Sequence, residues 1–187
     1  QALCDRYRHV GEQIKIPEDV TLPSEALDGS VGQSRIVAVL SFALADSMGL
    51  PEREKSDILN AGFLADIGKE LISPNLRNRR GGLTATELES VRQHPDESCR
   101  LMRKMGYDNP AMLNLVQHTH EQFGGGGYPG KFRGEDIPLG SRIIAVADAY
   151  NALTSWRPYR ESWERRAALG EIRREVEKGM FDAAVVE

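Results

Sequence analysis

At 187 residues and 20.8 kDa the chain is long enough for one ordinary domain with a real core, or one domain with an appended arm. Its 40% hydrophobic and 28% charged residues exclude wholesale disorder, and a net charge of −4 with a pI near 5.7 excludes a global basic field for nucleic acid. The longest apolar run, Ile36 to Ala45 broken by Ser41, falls far short of the ~18 residues a membrane span needs, and no charged-then-apolar signal sequence opens the chain. Cys4 and Cys99 are too few and too far apart for a disulfide scaffold or a zinc knuckle, so a reducing, cytoplasmic setting is expected.

Residues 1–32 carry Pro17, Pro23, Gly29 and Gly32 with no sustained period, which predicts a linker or irregular arm before a unit spanning 33–187. From Arg35 a helical stripe of Ile36, Val39, Leu40 and Leu44 runs to Gly49. Pro51 suits the first turn of a second helix bearing Ile58, Leu59, Gly62, Phe63 and Ala65. Thr84 to Glu87 is a capping-box signature that starts a helix through Val91, which must stop or bend at His94-Pro95 because a residue before proline is driven out of the α region. Asn109-Pro110 opens another helix with Met112, Leu113, Leu115 and Val116. Gly124 to Gly127, with Gly130 close behind, cannot be regular structure and predicts a mobile loop. Ile143 to Leu153 is the most apolar helix, and Trp163 to Lys178 a polar, charge-laced one. Period-two alternation is scarce, so the fold class is all-α, a helical bundle with one glycine-rich loop. A start at Gln1 and an end inside the apolar stretch Ala183 to Val186 fit a piece of something longer.

Four places carry polar groups that a plain bundle would not choose. Asp66 ends the apolar run Phe63 to Ala65, either as a helix-end carboxylate paired with Lys69 or as a functional group. His94 leaves a helix junction, either as an exposed helix-end histidine or as a ligand. His118 and His120 lie two apart, about 200° around a helix, so one of them at most faces inward with ease. Asp148 stands in the otherwise apolar Ile143 to Tyr150, where a carboxylate is costly unless ion-paired or metal-bound. Aspartates and imidazoles converging from several helices suit zinc, iron or manganese.

The order of these motifs resembles the HD-GYP family: Ala65-Asp66-Ile67-Gly68-Lys69, His94-Pro95, His118-Thr119-His120-Glu121, Gly127-Tyr128-Pro129, Asp148 to Thr154 and Arg157-Pro158-Tyr159-Arg160 follow one another over most of the chain. The resemblance implies an HD-superfamily helical bundle with a Gly-Tyr-Pro loop, of a kind whose active members hydrolyse cyclic di-GMP at a centre of two or three metal ions. It implies Asp66, His94, His120 and Asp148 as metal ligands, Asp66 and Lys69 as the catalytic pair, and Lys69, Arg157 and Arg160 near the nucleotide phosphates. For the two arginines, helix-end capping and surface ion pairs are an equal alternative. The loop of Gly127, Tyr128 and Pro129 is the implied contact for substrate and for diguanylate cyclase (GGDEF) domains.

Departures from the pattern shape the expected function. Ala65 stands where the family has the histidine of its His-Asp pair, Gln33 and Thr119 replace two further histidines, Gly29 falls where a glutamate would, Gly124 to Gly126 replace Asp-Gly-Ser, and Asn151 replaces an aspartate. One family metal position, drawing on Gln33, Ala65, Asp66 and Asp148, thereby loses both imidazoles; the other, drawing on Asp66, His94, Thr119 and His120, keeps three ligands. The expectation is one divalent ion (manganese, iron or zinc) or none, and a catalytically impaired regulatory, nucleotide-sensing or interaction module in cyclic di-GMP signalling. The alternative is an active metal-dependent cyclic di-GMP phosphodiesterase with a reduced or rearranged centre; a binder of an unrelated nucleotide is a third. No nucleic-acid or membrane partner is expected.

Overall fold

A computed structural model describes residues 7–14, 30–77, 79, 81–155 and 162–187. Every regular element among them is helical: α1 Ser30–Ser47, α2 Glu52–Leu64, α3 Pro74–Arg77, α4 Ala85–Arg92, α5 His94–Lys104, α6 Pro110–Gln117, α7 Leu139–Thr154, α8 Arg165–Glu177 and α9 Ala183–Val186, with 3-10 turns at Arg8–Gln13, Ile67–Leu71 and Gly134–Asp136. No described helix is long and apolar enough to cross a membrane.

The α1–α2 pair forms the floor of the core, and its packing corrects the stripe read from the sequence. Ile36 is 47% exposed and Val39, Leu40 and Leu44 are only partly buried, whereas Val37, Ala38, Ser41, Phe42 and Ala45 face inward. The reason is the close crossing of α2: a Cβ at Gly62 would sit 3.3 Å from both Ala38 Cα and Ser41 Oγ. Small residues let the two backbones approach, and the larger aliphatic side chains are rotated to the flanks. On α2 the expected face of Ile58, Leu59, Gly62 and Phe63 is buried.

The arm is not wholly irregular. Tyr7, just ahead of the first 3-10 turn, and Val10 within it lie in the core, and the Tyr7 hydroxyl donates to Asp46 Oδ2 at 2.8 Å while its ring meets Phe42 edge-on. Asp46 also takes the buried Lys55 ammonium at 2.8 Å, so arm, α1 and α2 share one charged knot. The helix of the bundle begins at Ser30, three residues ahead of the boundary drawn at 33.

Local signals set the remaining elements. Thr84 Oγ1 accepts from Glu87 N at 3.3 Å and Glu87 Oε2 accepts from Thr84 N at 2.9 Å, the two halves of a capping box. The helix breaks at Gln93 and resumes at His94 with Pro95 in its first turn, where a missing N–H costs nothing. Asn109 Oδ1 accepts from Ala111 N at 3.0 Å and starts α6. α7 crosses the middle of the molecule with Ile143, Ile144, Val146 and Ala147 buried. Its Arg142 pairs with the buried Asp182 at 2.5 Å, which ties the chain's last helix to the core.

The glycine-rich loop, expected to be held by little, carries a set of hydrogen bonds to neighbouring chain. Gly124 N donates to Gly179 O at 2.7 Å, Gly134 N to Phe123 O at 2.8 Å and Tyr128 N to His120 O at 3.2 Å. The buried Glu121 carboxylate adds a clamp, accepting from Gly130 N at 2.6 Å and Phe132 N at 3.1 Å. Four glycines serve close approach here: a Cβ at Gly127 would stand 2.4 Å from Gln122 N and Glu121 Cα.

Candidate metal centre

Three helix ends meet at one point. Asp66 follows the end of α2, His94 opens α5, and His120 lies just beyond α6. Asp66 Oδ1 stands 3.3 Å from His94 Nε2 and 3.5 Å from His120 Nε2, and the two Nε2 atoms are 2.8 Å apart. These three atoms form the metal-competent group of His, Cys, Asp and Glu side chains found among the described residues.

Each side chain is aimed by its neighbours. Ser98 of α5, fully buried, donates to Ala65 O at 2.7 Å and accepts from Gly68 N at 2.8 Å, which fixes the turn carrying Asp66 against α5. Gly68 permits that contact, since a Cβ there would lie 2.2 Å from His94 O. His94 is 1% exposed, so the exposed helix-end alternative fails. Its Nδ1 lies 2.8 Å from Val91 O; a carbonyl can only accept, so Nδ1 carries a proton and Nε2 is turned into the site. His120 is stacked on Tyr128, ring centroids 5.2 Å apart and planes within 7°.

Asp66 divides its two oxygens. Oδ2 takes the Lys69 ammonium at 2.6 Å, the salt bridge foreseen as one alternative, while Oδ1 is enclosed with no hydrogen-bond partner although the carboxyl as a whole is 35% exposed. Burial pushes its pKa up, but Lys69 and then the His120 and His94 imidazoles outweigh it and hold the carboxyl well below its ordinary range. An orphaned anionic oxygen facing two imidazole nitrogens is the donor arrangement a cation satisfies. Bonds of about 2.0–2.2 Å to one ion separate adjacent donors by roughly 2.8–3.5 Å, and the observed spacings span that interval. The residues present therefore fit one divalent ion.

The other sequence candidates are not part of this three-atom group. Asp148 is half-buried rather than sealed in an apolar helix, and its carboxylate is outside the three-atom group, though its charge is felt at Tyr128. Burial first, then the Asp66 charge, pushes the Tyr128 phenol up to about 12, with Arg92 opposing and Asp148 adding to the rise. Ala65 is buried at the end of α2 and offers no donor. The Thr119 hydroxyl donates to Val116 O at 3.0 Å. α6 has ended by His118, which removes the 200° constraint, yet His118 still turns away, stacked on Phe132 at 4.6 Å with Nδ1 2.8 Å from Asn114 O. Arg157 and Arg160 lie outside the described residues. A cavity of about 390 Å³ is lined by Gly68, Leu71, Leu76, Gln93 and Glu97 and shares His94 with the centre.

Two functional neighbours have weak sequence signals. Glu121 follows His120 directly and clamps the loop, not the centre. Arg92 ends α4 with its guanidinium 5.5 Å from the Tyr128 ring centroid; nothing distinguishes it in the sequence from the other surface arginines.

The family model described as HD domain matches residues 21–185. A cyclic di-GMP phosphodiesterase of Pseudomonas aeruginosa is 37% identical over 150 residues, covering 80% of this chain and 36% of that protein. A 3'3'-cGAMP-specific phosphodiesterase of Vibrio cholerae is 32% identical over 154 residues, covering 82% and 36%. The chain thus spans about a third of the length of the curated relatives it matches. Among solved structures, an HDG"Y"P protein from Bdellovibrio bacteriovorus superposes with a TM-score of 0.66 at 19% identity, over 82% of this chain and 49% of that one, a likeness of fold. A helical bundle of this shape, matched over residues 21–185, places the chain in the HD domain family.

Proposed function

We propose that this HD domain acts in cyclic-dinucleotide signalling, recognising cyclic di-GMP over a single divalent ion, and that it cleaves the messenger poorly or not at all. The donor set is Asp66, His94 and His120, with Asp148 of α7 as its proposed fourth member. The carrying observation is the division of Asp66: Oδ1 faces two imidazoles while Oδ2 is held by Lys69 at 2.6 Å.

Cutting a phosphodiester with paired ions about 3.5–4 Å apart needs donors for both and clamps the attacking and leaving oxygens together. Support for one ion comes from the residues that stand where the family pattern has imidazoles. The Ala65 methyl cannot ligate, and Gln33 and Thr119 bring a carboxamide and a hydroxyl, both poor transition-metal donors. When bound, a divalent ion supplies Lewis-acid polarisation of a phosphoryl oxygen. This chain's own part is then to orient: Val91 O sets the His94 tautomer, Tyr128 sets the plane of His120, and Lys69 keeps Asp66 ionised. Lys69 and Asp66 are the remnant of a catalytic pair. The loop of Gly127, Tyr128 and Pro129 is the proposed contact for a GGDEF domain.

A second reading, a working hydrolase on this one ion, draws on the printed names of the relatives, which are phosphodiesterases. Incubating the protein with cyclic di-GMP and manganese or iron, then quantifying linear dinucleotide and GMP, separates the two. Binding without product supports the impaired reading; turnover matching a relative with an intact ligand set supports the hydrolase.

A further inference from the structure

We propose that Arg92 is a phosphate-binding group of this site: its guanidinium, in cation–π contact with Tyr128, grips a phosphodiester of the ligand beside the metal-binding triad. Arg92 lies outside every motif that carries the family resemblance. The inference rests on reading the triad as a cyclic-dinucleotide site.

A cyclic dinucleotide brings two phosphodiester charges, and a site for it needs cations that are not already neutralised. Lys69 is the nearer candidate by motif, but its ammonium is 2.6 Å from Asp66 Oδ2, so an approaching phosphate meets carboxylate and ammonium together. Arg92 differs. Its guanidinium is 5.5 Å from the Tyr128 centroid, and the same ring lies parallel to His120 at 5.2 Å and edge-on to His94 at 6.2 Å. One aromatic ring therefore joins this cation to both imidazole ligands.

Arg92 is exposed, and among the described residues no carboxylate pairs with it; other arginines are unpaired too, and what sets Arg92 apart is its contact with the Tyr128 ring beside the triad. The cation–π contact keeps the guanidinium beside the ring, and two N–H groups of a guanidinium can meet two phosphate oxygens in parallel. A charge at the end of α4 would also suit the helix dipole, and that role needs only a charge, whereas the phosphate role needs the planar fork.

The test uses the whole chain loaded with manganese, as wild type, Arg92→Gln and Arg92→Lys, titrated calorimetrically with cyclic di-GMP and, separately, with inorganic phosphate. Manganese loading and melting temperature are followed in parallel and are expected to match wild type, because Arg92 touches neither the triad nor the core. Cyclic di-GMP affinity falls about ten-fold or more in Arg92→Gln and by an intermediate factor in Arg92→Lys. Unchanged affinity in Arg92→Gln overturns the assignment and leaves the cyclic-dinucleotide reading standing. Arg92-dependent phosphate binding without any cyclic di-GMP binding keeps the assignment and removes that reading. A wild-type protein that binds neither probe ends both.

Discussion

Gly68→Ala is the substitution through which packing and metal binding are most tightly linked. The new Cβ would stand 2.2 Å from His94 O and 2.6 Å from Ser98 N, both backbone atoms of α5 that cannot swing aside. Ordinary contact is roughly 3.5 Å, so the Asp66 turn and α5 must part by about 1 Å. Overpacking of this kind costs about 1–3 kcal/mol. It also carries Asp66 Oδ1 away from His94 Nε2, now 3.3 Å apart, at a site where ligand distances are tolerated within about 0.2 Å. Manganese or zinc affinity is therefore expected to drop at least ten-fold, and the urea midpoint to fall. Gly170→Ala is the matched control: that glycine lies within α8 with nothing near its Cβ position, so alanine there raises stability by about 0.5–1 kcal/mol and leaves metal affinity alone. Calorimetric metal titration and urea unfolding of both variants give the answer. Wild-type metal affinity in Gly68→Ala would refute the claim that this contact positions the carboxylate.

Ser98→Ala removes a buried hydroxyl that serves both Ala65 O and Gly68 N, and is expected to cost about 2–4 kcal/mol in urea unfolding, with metal affinity weakened alongside; a loss under about 0.5 kcal/mol would show that the bridge is dispensable. The depressed Asp66 pKa predicts an acid limb in the metal-free protein. Its ionised form contributes stability above the unfolded carboxyl value of 3.8, and that contribution is lost as pH falls through the lower folded value. Asp66→Asn therefore flattens the low-pH part of the melting-temperature profile, and an unchanged profile would contradict the ion pair with Lys69.

Much of this was legible in the residues, and where it was not the causes are physical. The capping box at Thr84 and the start at Asn109-Pro110 are local effects, complete within four residues, and they appear where the sequence places them, while the break falls one residue early, at Gln93, with His94 already helical. The inward face of α1 differs from the stripe the sequence suggests because this helix is apolar on most sides, and the small partner Gly62 rather than hydrophobicity decides which side faces α2. The mobility expected of Gly124 to Gly127 assumed free glycines, whereas the backbone hydrogen bonds to Gly179 and the Glu121 clamp come from chain far away or from a side chain whose aim has no sequence signature. Asp66, His94 and His120 could be listed from motif order, but their convergence depends on Ser98 and Gly68, two ordinary residues at a helix contact. Arg92 reaches the site only because α4 ends beside Tyr128, a tertiary fact.

The most direct test counts metal. Protein purified without chelator, loaded with manganese and desalted, is expected to retain one ion per chain by elemental analysis, and to lose it in His94→Ala and in His120→Ala. Two or more tightly held ions per chain, or retention in both variants, would contradict a single-ion centre built on Asp66, His94 and His120.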